Sequence, residues 1–198
     1  MRAMDDGVDN HGGPGDDLLE QAARPVIFAG GGAFFSGAQE EVRQFAALTA
    51  TPVFANSKAR GIVPETSNLG YGNFALASSP VAAQAAGGPA DVVFLLGTRV
   101  GMFTGTGPQS AIPTGAKVVQ LDIEAEEIGR GRDIDVALVG DVRETLRAMM
   151  DRAIGWTFGE HTEWLRGLAA SKRAFRAMHD QAATREQPIH QARLAREV

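Results

Sequence analysis

Asp91–Gly97 reads DVVFLLG, five consecutive apolar residues closed by a polar residue on one side and a glycine on the other. A strand wet on one face alternates apolar with polar residues, whereas this run is apolar on both faces. It therefore predicts a strand buried on both sides, in the middle of a parallel sheet. Outward from it the same form recurs. PVIFAG (Pro25–Gly30), PVFAN (Pro52–Asn56), KVVQLD (Lys117–Asp122) and VALVGD (Val136–Asp141) are apolar runs ended by glycine or a polar turn residue. Helical patterns separate them. Val42, Phe45, Ala46 and Leu48 fall on one helical face, in a segment expected to start at a capping box of Ser36 and Gln39. Ser79-Pro80 predicts a helix start running to Ala86. Asp141 with Glu144 predicts a capped helix to about Ala153.

Strands alternating with helices imply right-handed crossovers and an α/β, doubly wound, Rossmann-like sheet that is mostly parallel. In such sheets ligands lie beyond the carboxyl ends of the strands. Those ends are Gly30–Gly32, Asn56, Gly97–Gly101, Asp122 and Gly140-Asp141, so a small-molecule site is expected there.

The flanks differ from this middle. The first seventeen residues carry five acids, with Val8 and two Met as their sizeable apolar groups before the core pattern. Burial of so little apolar surface does not offset the entropy of ordering, so residues 1–23 are expected to be a mobile leader. Residues 160–183 place Trp164, Leu168, Phe175, Met178 and Ala182 at helical steps, and Gln187-Pro188 precedes a further helix over 189–198. The expected organisation is a leader over 1–23, a core domain over 24–155 and a C-terminal helical tail over 156–198, which reads as a linker toward a C-terminal domain not in this chain.

Composition narrows the chemistry. The 198 residues are 44% hydrophobic and 22% charged, as in an ordinary globular protein, and the formal net charge is −5. A nucleic-acid binder needs a clustered basic face, and none is visible. There is no cysteine, hence no disulfide, thiolate metal site or thiol nucleophile. No apolar run approaches the roughly 20 residues that span a bilayer. No membrane or nucleic-acid partner is expected, and a cytoplasmic setting is. The four histidines, at 11, 161, 179 and 190, form no His-x-x-x-His pair, so no metal site is expected. Neither a P-loop nor a Gly-x-Ser-x-Gly elbow is present.

Three features near the strand ends carry a possible ligand. Gly30, Gly31 and Gly32 follow the first strand, where backbone could approach a phosphate at a helix N-terminus. The run is not the full dinucleotide fingerprint, since Phe35 stands at its sixth position and Asn56 where a ribose-binding acid would close the second strand. A tight strand-to-helix turn explains the glycines equally well. Arg99, two residues beyond Gly97, could hold a phosphate or pair with a local acid. Asp122 could accept from a ribose or cap the turn at Ala125–Ile128. No catalytic residue is assigned.

Read together in order, RPVIFAGGGA, TPVFANSKARGIVPETSNLGYGN, ADVVFLLGTRVG, AKVVQLDIEAEEIGR and DVALVGDV resemble the central domain of thiamine-diphosphate-dependent enzymes, in the acetolactate synthase and benzaldehyde lyase branch. GMFTGTG with the segment after Ile112 is similar to benzaldehyde lyase in particular, and QPIHQARLAREV resembles the linker entering the third domain. The likeness runs from about Arg24 to Met150.

This resemblance implies a scaffold domain of a carboligase- or decarboxylase-type enzyme acting on 2-oxo acids or 2-hydroxy ketones, inactive alone. In the family, thiamine diphosphate and Mg2+ lie between an N-terminal domain, which supplies an activating glutamate, and a C-terminal domain with a Gly-Asp-Gly motif and a downstream Asn. Here Gly15-Asp16 precedes Asp17 and Gly140-Asp141 precedes Val142, so no Gly-Asp-Gly occurs, and no Asn follows Asn73. Some relatives hold ADP or FAD at positions matching Gly30–Gly32, Gly70–Asn73, Gly97–Arg99 and Asp122. A stand-alone adenine-nucleotide or FAD module is the alternative. The implied partners are the N- and C-terminal domains of the same enzyme, and a further copy of the chain in a homo-oligomer.

Overall fold

The computed structural model describes residues 13–73, 90–101, 104, 110–154, 156–184 and 191–197. Among these, six strands form one sheet: β1 (Pro25–Ala29), β2 (Val53–Ala55), β3 (Gly70–Asn73), β4 (Val92–Leu96), β5 (Lys117–Asp122) and β6 (Val136–Val139). Every pairing is parallel, in the order β3-β2-β1-β4-β5-β6. The doubly wound α/β fold expected from the sequence is therefore present. β4 lies centrally, with Phe94 in register with Ile27 of β1 and Val119 of β5. Five strands begin and end within a residue of expectation. β3 was not foreseen as a strand, because its GYGN has neither an apolar run nor alternation.

Alternation along the strands makes two cores. One face carries Ile27, Ala29, Val53, Phe94, Leu96, Val119 and Leu121. It is covered by Val42, Phe45 and Ala46 of α3 (Gln39–Leu48) and by Val142, Leu146 and Met149 of α4 (Val142–Arg152). The other face carries Val26, Phe28, Phe54, Tyr71, Val93, Leu95 and Val118. There the cover includes Trp164 and Leu168 of the tail helix α5 (Thr162–Ala183), and the Trp164 indole donates to the Pro25 carbonyl at 3.0 Å. The tail thus completes the second core. A last helix, α6 (Gln191–Glu197), follows. The helix expected over Ser79–Ala86 lies outside the described residues.

Two local expectations are corrected. Pro14–Glu20, placed in the mobile leader, is a helix (α1) whose Leu19 is buried in the first core. Its buried Asp16 pairs with Arg152 of α4 at 3.3 Å. Burial pushes the Asp16 carboxyl above its ordinary range, although the Gly13 amide and Arg152 oppose this. Acidic composition hid one buried leucine and an ion pair between residues far apart in the chain, neither of which a local reading can supply.

The second correction concerns Ser36, which does not cap α3. The glycine turn starts a short helix at once, α2 (Gly31–Phe35), and Ser36 ends it, its hydroxyl donating to the Ala33 carbonyl at 3.1 Å. Gly37, at φ +71°, turns the chain before α3 begins at Gln39. A residue able to adopt the left-handed conformation was needed between two helices rather than inside one.

Candidate functional site

The order of the sheet reverses between β1 and β4: the chain winds outward through β2 and β3, then returns to add β4, β5 and β6 on the other side. A crevice opens at such a switch point beyond the carboxyl ends of the strands. Gly30 and Gly97 are the residues that directly follow β1 and β4, so both stand at it. This placement follows from strand order and is invisible in the sequence.

The two strand ends touch backbone to backbone. Gly30 N–H donates to the Leu96 carbonyl at 2.8 Å, and Gly32 N–H to the Gly97 carbonyl at 3.0 Å. A Cβ on Gly30 would stand 2.3 Å from the Thr98 Cβ and 2.4 Å from the Gly97 oxygen. On Gly32 it would stand 2.7 Å from the Gly97 Cα. Gly97 itself has φ +55°, and its Cβ would meet the Ala33 nitrogen at 2.5 Å. Gly30, Gly32 and Gly97 are therefore packing glycines first. Two amides that a phosphate would use already donate to the chain's own carbonyls.

Gly31 differs. A Cβ there would meet the Lys58 side chain, with the Cδ at 3.2 Å, and no backbone atom among its nearest neighbours. Lys58 sits in the 3-10 turn after β2, where the Asn56 side chain accepts from the Lys58 and Ala59 amides at 3.0 and 3.1 Å. From sequence, Asn56 marks a strand end and stands where a ribose-binding acid would be. Its actual work is to cap the turn that lays Lys58 against Gly31. The signal available was an Asn followed by Ser-Lys-Ala, an Asx-turn pattern.

Arg99 and Asp122 each have a local partner. Arg99 Nη1 lies 3.5 Å from Glu127 Oε1, with its side chain 69% exposed. Glu127 also takes Arg130 at 2.8 Å, and its other oxygen is buried with no partner among the described residues. Asp122 Oδ1 accepts from the Glu124 amide at 3.1 Å. Arg99 thus pairs with a local acid, as one of its two readings expected, whereas Asp122 does not cap the turn: the N-cap there is Glu124, with no side-chain cap bond, and Asp122 holds the amide of that residue instead. The loop carrying Glu127 is fixed by Gln120, a fully buried amide whose Nε2 donates to the Glu127 carbonyl and whose Oε1 accepts from Gly129 N–H. A polar residue inside KVVQLD was the signal for this, since a buried amide must find partners.

The described residues form no metal centre. Among the described residues no three of His, Cys, Asp and Glu gather in a set that could hold an ion. Asp141, the acid of Gly140-Asp141, spends its carboxylate capping α4 through the Glu144 amide at 3.1 Å. A magnesium diphosphate does not fit this donor set. No helix among the described residues is long and apolar enough to cross a membrane.

Residues 17–149 match the family model described as "Thiamine pyrophosphate enzyme, central domain". The oxalyl-CoA decarboxylase of Escherichia coli K12 is 32% identical over 177 residues, which cover 87% of this chain and 29% of that protein. The acetolactate synthase large subunit of Corynebacterium glutamicum is 32% identical over 158 residues, covering 77% and 25%. An acetolactate synthase of Mycobacterium bovis is 36% identical over 135 residues, covering 67% and 21%. Among solved structures, a thiamin diphosphate-dependent enzyme of Mycobacterium smegmatis superposes with TM-score 0.56 at 23% identity, over 69% of this chain and 26% of that one. The chain spans under a third of the length of these relatives. With the sheet, its order and the matched segment in agreement, it belongs to the family of thiamine pyrophosphate enzyme central domains.

Proposed function

We propose that the chain is the central scaffold domain of a thiamine-diphosphate-dependent lyase or synthase that breaks or forms C–C bonds in 2-oxo acids or 2-hydroxy ketones. In the intact enzyme it packs against N- and C-terminal domains, which hold thiamine diphosphate and Mg2+, and it shapes the cleft between them. A cytoplasmic enzyme, assembled as a homo-oligomer, is the setting this reading implies. The domain partition is a helix-bearing core followed by the tail beyond residue 155.

The observation that carries this reading is the match of 17–149 to a central domain, in a chain spanning 29% and 25% of two enzymes it resembles. The donor set agrees, because Asp141 is committed to a helix cap. Isothermal titration of the isolated chain with thiamine diphosphate and Mg2+ should give no heat of binding at micromolar concentrations. Pyruvate should release no CO2. Binding in that range would remove the scaffold reading.

The stand-alone nucleotide module is less favoured, since the Gly30 and Gly32 amides are already engaged. An adenine nucleotide in the crevice, ADP or FAD, would meet Gly31 at its phosphates and Arg99 or Asp122 beyond, and would be held weakly. On this reading Gly31→Asp abolishes binding, by blocking the backbone and repelling phosphate, and Arg99→Ala weakens it and lowers its salt dependence. A titration to millimolar ADP that shows no binding removes the nucleotide module and leaves the scaffold standing.

A further inference from the structure

We infer that His161 is a proton-operated latch at the foot of α5: neutral, it lets the tail helix close over the second core, and protonated, it opens that end. The residue precedes Thr162, the first residue of α5, with φ +46°, a left-handed conformation uncommon outside glycine that His adopts more readily than most residues. It is only 9% exposed, and Nε2 is buried with no hydrogen-bond partner among the described residues. The ring folds back over Gly159, where a Cβ would stand 2.9 Å from its Cε1. Glycine at 159 leaves the space that the buried ring occupies.

The ring is wedged among segments that precede the tail. Asp91, just before β4, is the charged side chain acting on it across the interface. That carboxylate already accepts from the Ala23 and Arg24 amides at 2.9 and 2.8 Å. The segment before β1 and the turn after α3 offer backbone at Ala23 and Thr49. On the tail itself, Glu160 takes the Thr162 hydroxyl and Glu163 pairs with Arg166. Burial pushes the imidazole below its ordinary range, and the opposing pull of Ala23, Asp91 and Thr49 does not reverse this. A charge here would be desolvated.

The direction of the pH effect follows from linkage. A histidine whose docked form resists protonation stabilises docking above the exposed value of about 6.5 and loses that contribution as pH falls. Between pH 7.5 and 5.5 the ratio of open to docked foot should rise by up to about tenfold. The far half of α5 is held by other means. Lys172 donates to the Ser67 and Gly70 carbonyls and lies 5.0 Å from the centre of the Tyr71 ring, and Arg176 donates to the Glu65 carbonyl at 2.9 Å. Opening is thus confined to the end where Trp164 and Leu168 enter the core.

Hydrogen exchange on the full chain at pH 7.5, 6.5 and 5.5, corrected for intrinsic rates, tests this. Protection over 162–170 should fall by up to tenfold while that of α4 holds. His161→Gln should make the 162–170 response flat. His179→Asn should leave it unchanged, which separates the latch from the other histidine of α5. The inference is overturned if wild-type protection over 162–170 is flat with pH, if it falls in step with α4, or if His161→Gln keeps the response.

Discussion

Val93→Asp should cost the chain about 4 kcal/mol or more, a large share of a typical domain's stability. Val93 lies at the middle of β4, fully buried, with strands on both sides and the second core above it. The neighbours that would surround a carboxylate there, among them Phe28, Leu95 and Val118, offer no donor in their side chains. A buried carboxylate without a partner must either remain charged in an apolar setting or take up a proton. Both routes are costly. Thermal unfolding followed by circular dichroism should show a midpoint lowered by about 10 °C or more. A midpoint equal to that of the wild type would mean that β4 is not the central strand.

The second large effect separates the glycines at the switch point. Gly30→Ala and Gly97→Ala should each cost about 3 kcal/mol, while Gly31→Ala should change stability by less than about 1 kcal/mol. At Gly30 the new methyl would fall 2.4 Å from the Gly97 oxygen, which cannot move without breaking the contact between β1 and β4 ends. At Gly97 the clash with the Ala33 nitrogen at 2.5 Å adds to a backbone at φ +55°. At Gly31 the nearest atom belongs to the flexible Lys58 stem, which can give way. Urea midpoints of the three variants read the difference directly. Equal losses at all three would contradict the distinction, and a loss at Gly31 alone would reverse it. The comparison bears on function as well, because packing already accounts for two of the three glycines before any phosphate is considered.

Much of the fold was legible because apolar runs bounded by turn residues have few other uses in a protein of this size. PVIFAG, DVVFLLG, KVVQLD and VALVGD gave their strands almost to the residue, and Asp141 with Glu144 gave the start of α4. The site was less legible. Arg99 and Asp122 could each be read two ways, and the choice depended on whether Glu127 and the Glu124 amide came within reach. Lys58 and Gln120 went unnoticed because their importance lies in what they touch, Gly31 for one and the Glu127 loop for the other. β3 escaped because an edge strand holding two glycines needs little hydrophobic pattern of its own when β2 supplies the ladder.

By itself the sequence determined the class of fold, the positions of five strands, the absence of thiol chemistry and the lack of a Gly-Asp-Gly motif. These are local properties: a run of apolar residues, a residue type that is missing, a spacing that is not met. The tertiary structure alone decided the strand order that brings Gly30 against Gly97, the packing of α1 on the first core and the burial of His161 beneath the tail. Each of these depends on groups far apart in the chain meeting in space. His161 and Asp91, or Asp16 and Arg152, acquire their electrostatics only from that meeting, because desolvation and pairing act over a few ångströms and not along the sequence.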